Sequence, residues 1–307
     1  MRVTRAARMM TSTKLALMIC TALAAASCGR FNHAADTTGG TDRMVVISQQ
    51  YNELIYALGA QAQLVGVDYS STYPPEIKSV TTVGYHRALS AEGILSLKPT
   101  VVIHDNNIGP EQVVRQLEQL KIPMKTFTAK DDSIDGLKSL MREMGAYFHK
   151  ESRAEELCAT LDRDLAAARE RVKQYTSRPR VAVIHYGRAS NVYLVVSGKG
   201  GSGDGAAASQ MIEWAGGEQA ISGNGMQRLA SPEIIAQANP DIILMTEFGY
   251  DRLGSLDQAK TLPGVAQTNA ARNGRIYRLS EHELTYYNPE TGKSVEKLAA
   301  LIHQSQP

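Results

Sequence analysis

Residues 83–93 read Val-Gly-Tyr-His-Arg-Ala-Leu-Ser-Ala-Glu-Gly, which sets a phenol, an imidazole and a guanidinium side by side at Tyr85, His86 and Arg87. Together these groups can donate to a metal and grip an anion. Each also has a bland reading, as a packing tyrosine, a surface histidine and a solvated arginine. Further chemistry-bearing residues recur where strands give way to loops. They are Gln49-Gln50-Tyr51, His104-Asp105-Asn106-Asn107, His185-Tyr186-Gly187-Arg188 and Thr246-Glu247-Phe248-Gly249-Tyr250. His86, His104, His185 and His282 are too scattered to spell a zinc or manganese site by spacing.

The elements that must position these groups are legible as alternating patterns. Strands are expected at 44–48, 64–68, 123–127, 180–186, 193–197 and 275–279, with helices at about 50–59, 110–120, 204–216 and 291–305. Such alternation implies α/β lobes with mainly parallel sheets. An internal echo strengthens that expectation. Ser-Ala-Glu-Gly-Ile-Leu-Ser-Leu-Lys-Pro begins at Ser90 and Ser-Pro-Glu-Ile-Ile-Ala-Gln-Ala-Asn-Pro at Ser231, with Glu92 and Glu233, and Pro99 and Pro240, all offset by 141 residues. Each copy reads as a capped helix stopped by proline and feeding a buried strand.

Domain organisation follows: a lobe at 44–145, a linking helix at 146–178 and a second lobe at 179–307. From about Ser152 the link lacks glycine and proline and is rich in Ala, Glu, Arg and Leu, which suits one long strut after a break near Gly145. In open α/β sheets ligands bind outside the carboxyl ends of strands, so two facing lobes would line one cleft.

The N-terminus sets the address. Arg2, Arg5, Arg8 and Lys14 precede the short apolar run Leu-Ala-Leu-Met-Ile-Cys-Thr-Ala-Leu-Ala-Ala-Ala, a secretory leader over residues 1–27. Ala24-Ala25-Ala26 suits an ordinary signal peptidase, whereas Ala26-Ser27-Cys28 resembles a lipobox whose cysteine is lipidated. The polar run 28–43 favours the second reading, with Cys28 as anchor and the run as tether. Without the leader the chain carries 29 basic and 31 acidic residues, which gives a nucleic-acid partner no electrostatic support. Only Cys158 of the three cysteines remains in the folded part, so no disulfide framework exists.

These features together resemble the substrate-binding proteins of ABC importers for iron complexes and vitamin B12. Within that class, Val-Gly-Tyr-His-Arg-Ala-Leu-Ser-Ala-Glu-Gly resembles the haem-binding branch, as does Ser-Gly-Lys-Gly-Gly-Ser-Gly-Asp-Gly-Ala-Ala-Ala-Ser-Gln at 197–210. The resemblance implies two Rossmann-like lobes joined by a long helix, in the manner of class III periplasmic binding proteins. It also implies modest motion on binding. It names Tyr85 as the ligand of a ferric haem, with Arg87 in support. A phenolate oxygen suits Fe³⁺, and the bound cation favours the ionised phenol.

Some members supply a second ligand from the other lobe, for which His185 is the candidate. His86, His104, Met245, Phe248 and Tyr250 are expected around the pocket, with Met226 and Leu229 as further apolar wall. Because neighbours in an extended loop point apart, Tyr85 and His86 are not expected on the same iron face. The backbone of the glycine-rich loop around Lys199, Gly201 and Ser202 could receive a propionate. Glu92 and Glu233 match the glutamates that dock on the permease.

The implied partners are haem, an ABC permease with its ATPase and haem donor proteins, for a monomer that meets the membrane only through its lipid. It would be exported, periplasmic or on the cell surface, with no catalytic cofactor. Rival readings are a ferric-siderophore or cobalamin carrier, a haem sensor or store, and a cleft enzyme using Asp105, Glu247 and His185.

Overall fold

The computed structural model describes residues 42–127, 132–188, 191–195, 206–221, 223, 226–228 and 231–304, with strand placement alone for 186–188, 191–195 and 226–228. The leader at 1–27, Cys28 and the loop carrying Lys199, Gly201 and Ser202 lie outside these residues, as does Leu229. Residues 42–307 form one compact unit.

The chain starts with β1 (Met44–Ile47), whose four residues are all buried, and passes through Ser48 into α1 (Gln49–Leu58). Ser48 caps that helix by accepting from the Tyr51 amide, and Gly59 closes it in the left-handed conformation, φ 72°. β2 (Leu64–Val67) and β3 (Thr81–Thr82) follow, then a small ribbon of β4 (Gly84–Tyr85) against β5 (Ala88–Leu89). After α2 (Ala91–Ser96) come β6 (Val101–His104), α3 (Glu111–Gln119), β7 (Met124–Lys125) and α4 (Ile134–Tyr147). The first sheet has the order β3-β2-β1-β6-β7, and every pairing in it is parallel.

The link is α5 (Glu151–Val172), separated from α4 by His149 at φ 56°. The second lobe opens with β8 (Arg180–Arg188), β9 (Asn191–Val195), α6 (Ala206–Trp214), β10 (Glu218–Gln219) and β11 (Met226–Arg228). It continues through α7 (Glu233–Ala238), β12 (Ile242–Thr246), α8 (Glu247–Leu253), α9 (Leu256–Lys260) and α10 (Asn269–Arg272). β13 (Ile276–Leu279), α11 (Glu281–Leu284) and α12 (Thr291–Ile302) complete it. The order β11-β9-β8-β12-β13 mixes a parallel half, β8-β12-β13, with antiparallel β9 and β11, and β10 pairs parallel to β8. The protein is therefore α/β with mostly parallel sheets.

The echo is real at the level of the backbone. Lys98 and Asn239, 141 positions apart, both take left-handed φ, 48° and 41°, immediately before a proline, and strands begin at Val101 and Ile242. The caps differ, however. Ser90 accepts from the Gly93 amide, whereas Ser231 donates its hydroxyl to Glu233 and the cap position is taken by Pro232, which makes no side-chain capping bond.

One apolar stripe on α5, running Ala154, Leu157, Cys158, Leu161, Leu165 and Ala168, is buried along its length. These residues join a single hydrophobic cluster that holds Met44 and Val46 of the first sheet together with Val181, Val183, Ile242 and Leu244 of the second. The two sheets thus share a core across the link.

Packing on α5 is close at Gly292 in α12, where an added Cβ would lie 2.6 Å from the backbone of Asp164 and Leu165. Helix propensity favours Gly292→Ala by up to about 1 kcal/mol, but overpacking against rigid backbone costs roughly 1–3 kcal/mol. Gly292→Ala is therefore expected to lower the melting temperature by a few degrees. An unchanged or raised melting temperature in calorimetry would contradict the fit.

Candidate functional site

A cleft of about 640 Å³ lies where the carboxyl ends of the parallel strands meet, a volume typical of small-molecule sites. Its lining follows the strand ends. Ser48 and Gln49 succeed β1, Asp68, Tyr69 and Ser70 succeed β2, and Asp105 and Asn107 succeed β6. From the second lobe come His185 within β8, Phe248 and Arg252 in α8, and Glu281, Thr285 and Tyr286 in and after α11.

Tyr85, His86 and Arg87 enter the cleft on the β4–β5 ribbon, which turns through His86 and Arg87. Gly84 takes φ 112°, a backbone position that only glycine holds without strain. Two loops fix the ribbon, through Tyr69 N–H to Gly84 O at 2.8 Å and Gly109 N–H to His86 O at 2.8 Å. Tyr85 is 47% exposed, unusual for an aromatic ring on a well-fixed ribbon. Arg87 donates through Nε to Asn107 Oδ1 at 2.9 Å.

The Tyr85 and His86 rings do not point apart. Their centroids are 4.2 Å from each other, because a tight turn breaks the alternation that an extended loop would impose. His86 Nδ1 lies 3.5 Å from Ser70 Oγ and 3.9 Å from buried Asp68. Burial holds its pKa below the usual imidazole value, against the upward pull of Asp68.

Three expected pocket residues lie elsewhere. His104 is buried at the end of β6, with Nδ1 accepting from the Asn106 amide at 3.2 Å. Met245 packs inward from β12, and Tyr250 packs against that same apolar cluster. In each case the strand or helix face that meets the core decides the direction of the side chain. Phe248 does line the cleft and faces Tyr69 with centroids 6.4 Å apart. Met226 lies in β11. Glu92 and Glu233 are exposed in the first turns of α2 and α7, outside the cleft.

Asp68, Tyr69, Arg252, Glu281 and Tyr286 were not picked out from the sequence. The rule that ligands sit beyond strand ends would have found most of them had it been applied after 64–68 and 275–279 as well. Arg252 sits further along α8 and carries no comparable signal.

Beside the cleft, buried polar groups join the lobes. Glu53 of α1 meets His282 Nδ1 at 2.8 Å and accepts from the Tyr286 hydroxyl. Tyr73 stacks on His282 with centroids 3.6 Å apart and donates to Glu290 at 2.7 Å. Burial alone would lower the His282 pKa, but hydrogen bonds to Glu290 and Glu53 raise it to about 9, so the ring is a cation held between carboxylates. Glu281, only 8% exposed, is pushed up to about 7 by burial, with a hydrogen bond from Gln49 opposing the rise. Among the described residues no cluster of three or more His, Cys, Asp or Glu has the geometry of a metal site.

A family model for periplasmic binding proteins matches residues 44–283. The chain belongs to that family. Its fold is similar to the apo form of the periplasmic heme-binding protein RhuT from Roseiflexus sp. RS-1, at 33% identity and a TM-score of 0.76, covering 86% of this chain and 98% of that one. The high-affinity heme uptake system protein IsdE of Staphylococcus aureus (strain MRSA252) is 25% identical over 302 residues, 95% of this chain and 98% of that protein. The vitamin B12-binding protein of Pectobacterium carotovorum is 27% identical over 127 residues, which are 41% of this chain and 45% of that protein.

The buried clamp sets a pH dependence. The raised His282 pKa stabilises the fold fully below about 6.5, the unfolded imidazole value, and that stabilisation fades as pH rises through about 9. The gap corresponds to a loss on the order of 3 kcal/mol. Glu281 acts with the same sign at lower pH, because its stabilising protonated form is lost as pH rises toward about 7. Urea midpoints are expected to fall between pH 6.5 and 9 in wild type and to be lower but flatter in His282→Gln. A flat wild-type profile would contradict the clamp.

Proposed function

We propose that the protein captures ferric haem in the inter-lobe cleft and hands it to a membrane permease of an ABC importer. The observation that carries this reading is Tyr85, a half-exposed phenol presented to the cleft by a ribbon fixed on both sides. A phenolate suits Fe³⁺, and the iron itself favours the ionised form. Tyr69 and Phe248 give aromatic surface for the flat ring, and His185 is the second ligand from the opposite lobe. Arg87 and Arg252, one on each lobe, both line the cleft and would pair with the propionates. The heme-binding names of RhuT and IsdE, each matched over nearly its full length, favour this cargo over cobalamin, whose binder matches over less than half.

Lipidation at Cys28 would hold the protein at the membrane, where Glu92 and Glu233 dock on the permease. Two equivalent carboxylates on duplicated helices orient the encounter more than they add affinity. Haem donor proteins would supply the cargo.

Haemin titration followed by absorbance is expected to give saturable binding with a ferric–phenolate charge-transfer band. In Tyr85→Ala that band disappears and affinity falls at least tenfold. Unchanged binding in the variant would move the anchor away from Tyr85, and no saturable binding in wild type would overturn the haem reading.

Glu92→Lys with Glu233→Lys is expected to abolish haem-dependent growth in cells that need this importer while leaving the titration unchanged. Normal growth of the double variant would remove these residues from docking.

A further inference from the structure

His185 occupies an irregular position in its strand. The pairing of β8 with β9 slips between Ile184 and Tyr186. A bulge of this kind leaves the extra residue, here His185, unpaired on the neighbouring strand. Ile184 is fully buried in the core, and its neighbour His185 lines the cleft. The irregular backbone is itself held, because Thr246 at the end of β12 donates its hydroxyl to the His185 carbonyl at 2.5 Å.

The ring is held as firmly as the backbone. His185 Nδ1 lies 3.1 Å from Glu281 Oε1 and 3.4 Å from Thr246 Oγ1. Since the Thr246 hydroxyl proton is committed to the carbonyl, its oxygen faces Nδ1 as an acceptor. In its ionised form Glu281 offers only acceptor oxygens, so both neighbours of Nδ1 then require a donor there. In a neutral imidazole that places the proton on Nδ1 and leaves the lone pair on Nε2.

Glu281 is in turn fixed from both sides. It starts α11, whose Ser280–Glu283 capping box sets the entry of the chain, and Gln49 of the other lobe hydrogen-bonds its carboxylate. The elements β8, β12, α11 and α1 thus converge on a single imidazole.

We propose that Glu281 is the positioning residue for His185: its carboxylate accepts from Nδ1–H and so selects the tautomer and ring orientation that present Nε2 to the ligand in the cleft. Glu281 does not itself touch the ligand. The inference rests on the haem reading, and it assigns the second-lobe half of that site a buried carboxylate that the sequence motifs did not mark. Partners of this kind raise the basicity of an imidazole ligand and fix its direction, and their loss commonly costs about 10–100-fold in metal affinity.

The test has one arm without haem and one with it. In the apo protein, long-range ¹⁵N–¹H correlation of the histidine rings at about pH 9, where Glu281 is ionised, is expected to show His185 with its proton on Nδ1. That tautomer persists in Glu281→Gln, whose amide oxygen still accepts, and becomes mixed in Glu281→Leu. In the haemin titration, Glu281→Leu is expected to weaken binding about 10–100-fold and to convert a six-coordinate low-spin spectrum to high-spin, as His185→Ala does. The two changes combined cost no more than His185→Ala alone, because both remove the same ligand.

A wild-type proton on Nε2 overturns the proposal, and so do additive losses in the double variant. Glu281→Gln, which keeps shape and acceptor, guards against a mere folding defect. If wild type binds no haemin, the cargo reading fails, and the tautomer measurement alone then decides the positioning claim.

Discussion

The cleft depends on one apolar stripe. Ala154, Leu157, Cys158, Leu161, Leu165 and Ala168 of the linking helix seal a hydrophobic cluster that reaches the first sheet at Met44 and Val46 and the second at Val181 and Leu244. Because both sheets pack into the same cluster, the carboxyl ends of their parallel strands are held facing one volume. Ligand-lining residues from several strand ends and helices then need no further device to converge. The glycine at 292, pressed against the backbone of the link, shows how little slack that arrangement has.

Beside the cleft a second constraint works by charge. His282, held cationic by Glu53 and Glu290, joins an N-terminal-lobe helix to the C-terminal lobe, with the His282–Glu53 pair nearly out of water. A buried pair of this kind adds little net stability over an apolar replacement, but removing one partner leaves an uncompensated charge and is costly. Its natural effect is to fix the relation between the lobes, leaving the cleft groups to meet their ligand in a preformed space. The same logic runs on a smaller scale at the Tyr85 ribbon, where Gly84 and the Gly109 amide hold the turn that brings the tyrosine and histidine rings together.

Much of this was legible in the residues. The 141-residue echo marked two α/β halves, and it extends to the left-handed residues Lys98 and Asn239. Tyr85 and Arg87 stood out because their types sit beside a helix start. The misses have physical causes. His104 and Met245 belong to strands whose inner faces bury them, and alternation cannot tell an inward from an outward position without the partner sheet. Glu281 and Glu53 carry no motif, since a buried carboxylate is defined by its contacts, and those of Glu53 reach residues more than 200 positions away. His185 was visible as a type, but the Glu281 and Thr246 side chains that hold its ring come from distant elements and leave no local sequence signal.

The proposed site turns on a bond between ferric iron and the oxygen of Tyr85. Resonance Raman spectroscopy of the haem-loaded protein, excited in the phenolate charge-transfer band, tests it directly. Ring-labelled tyrosine should shift phenolate modes that are coupled to the iron. A loaded protein whose spectrum shows no tyrosine-sensitive modes would contradict the assignment, whatever its affinity for haem.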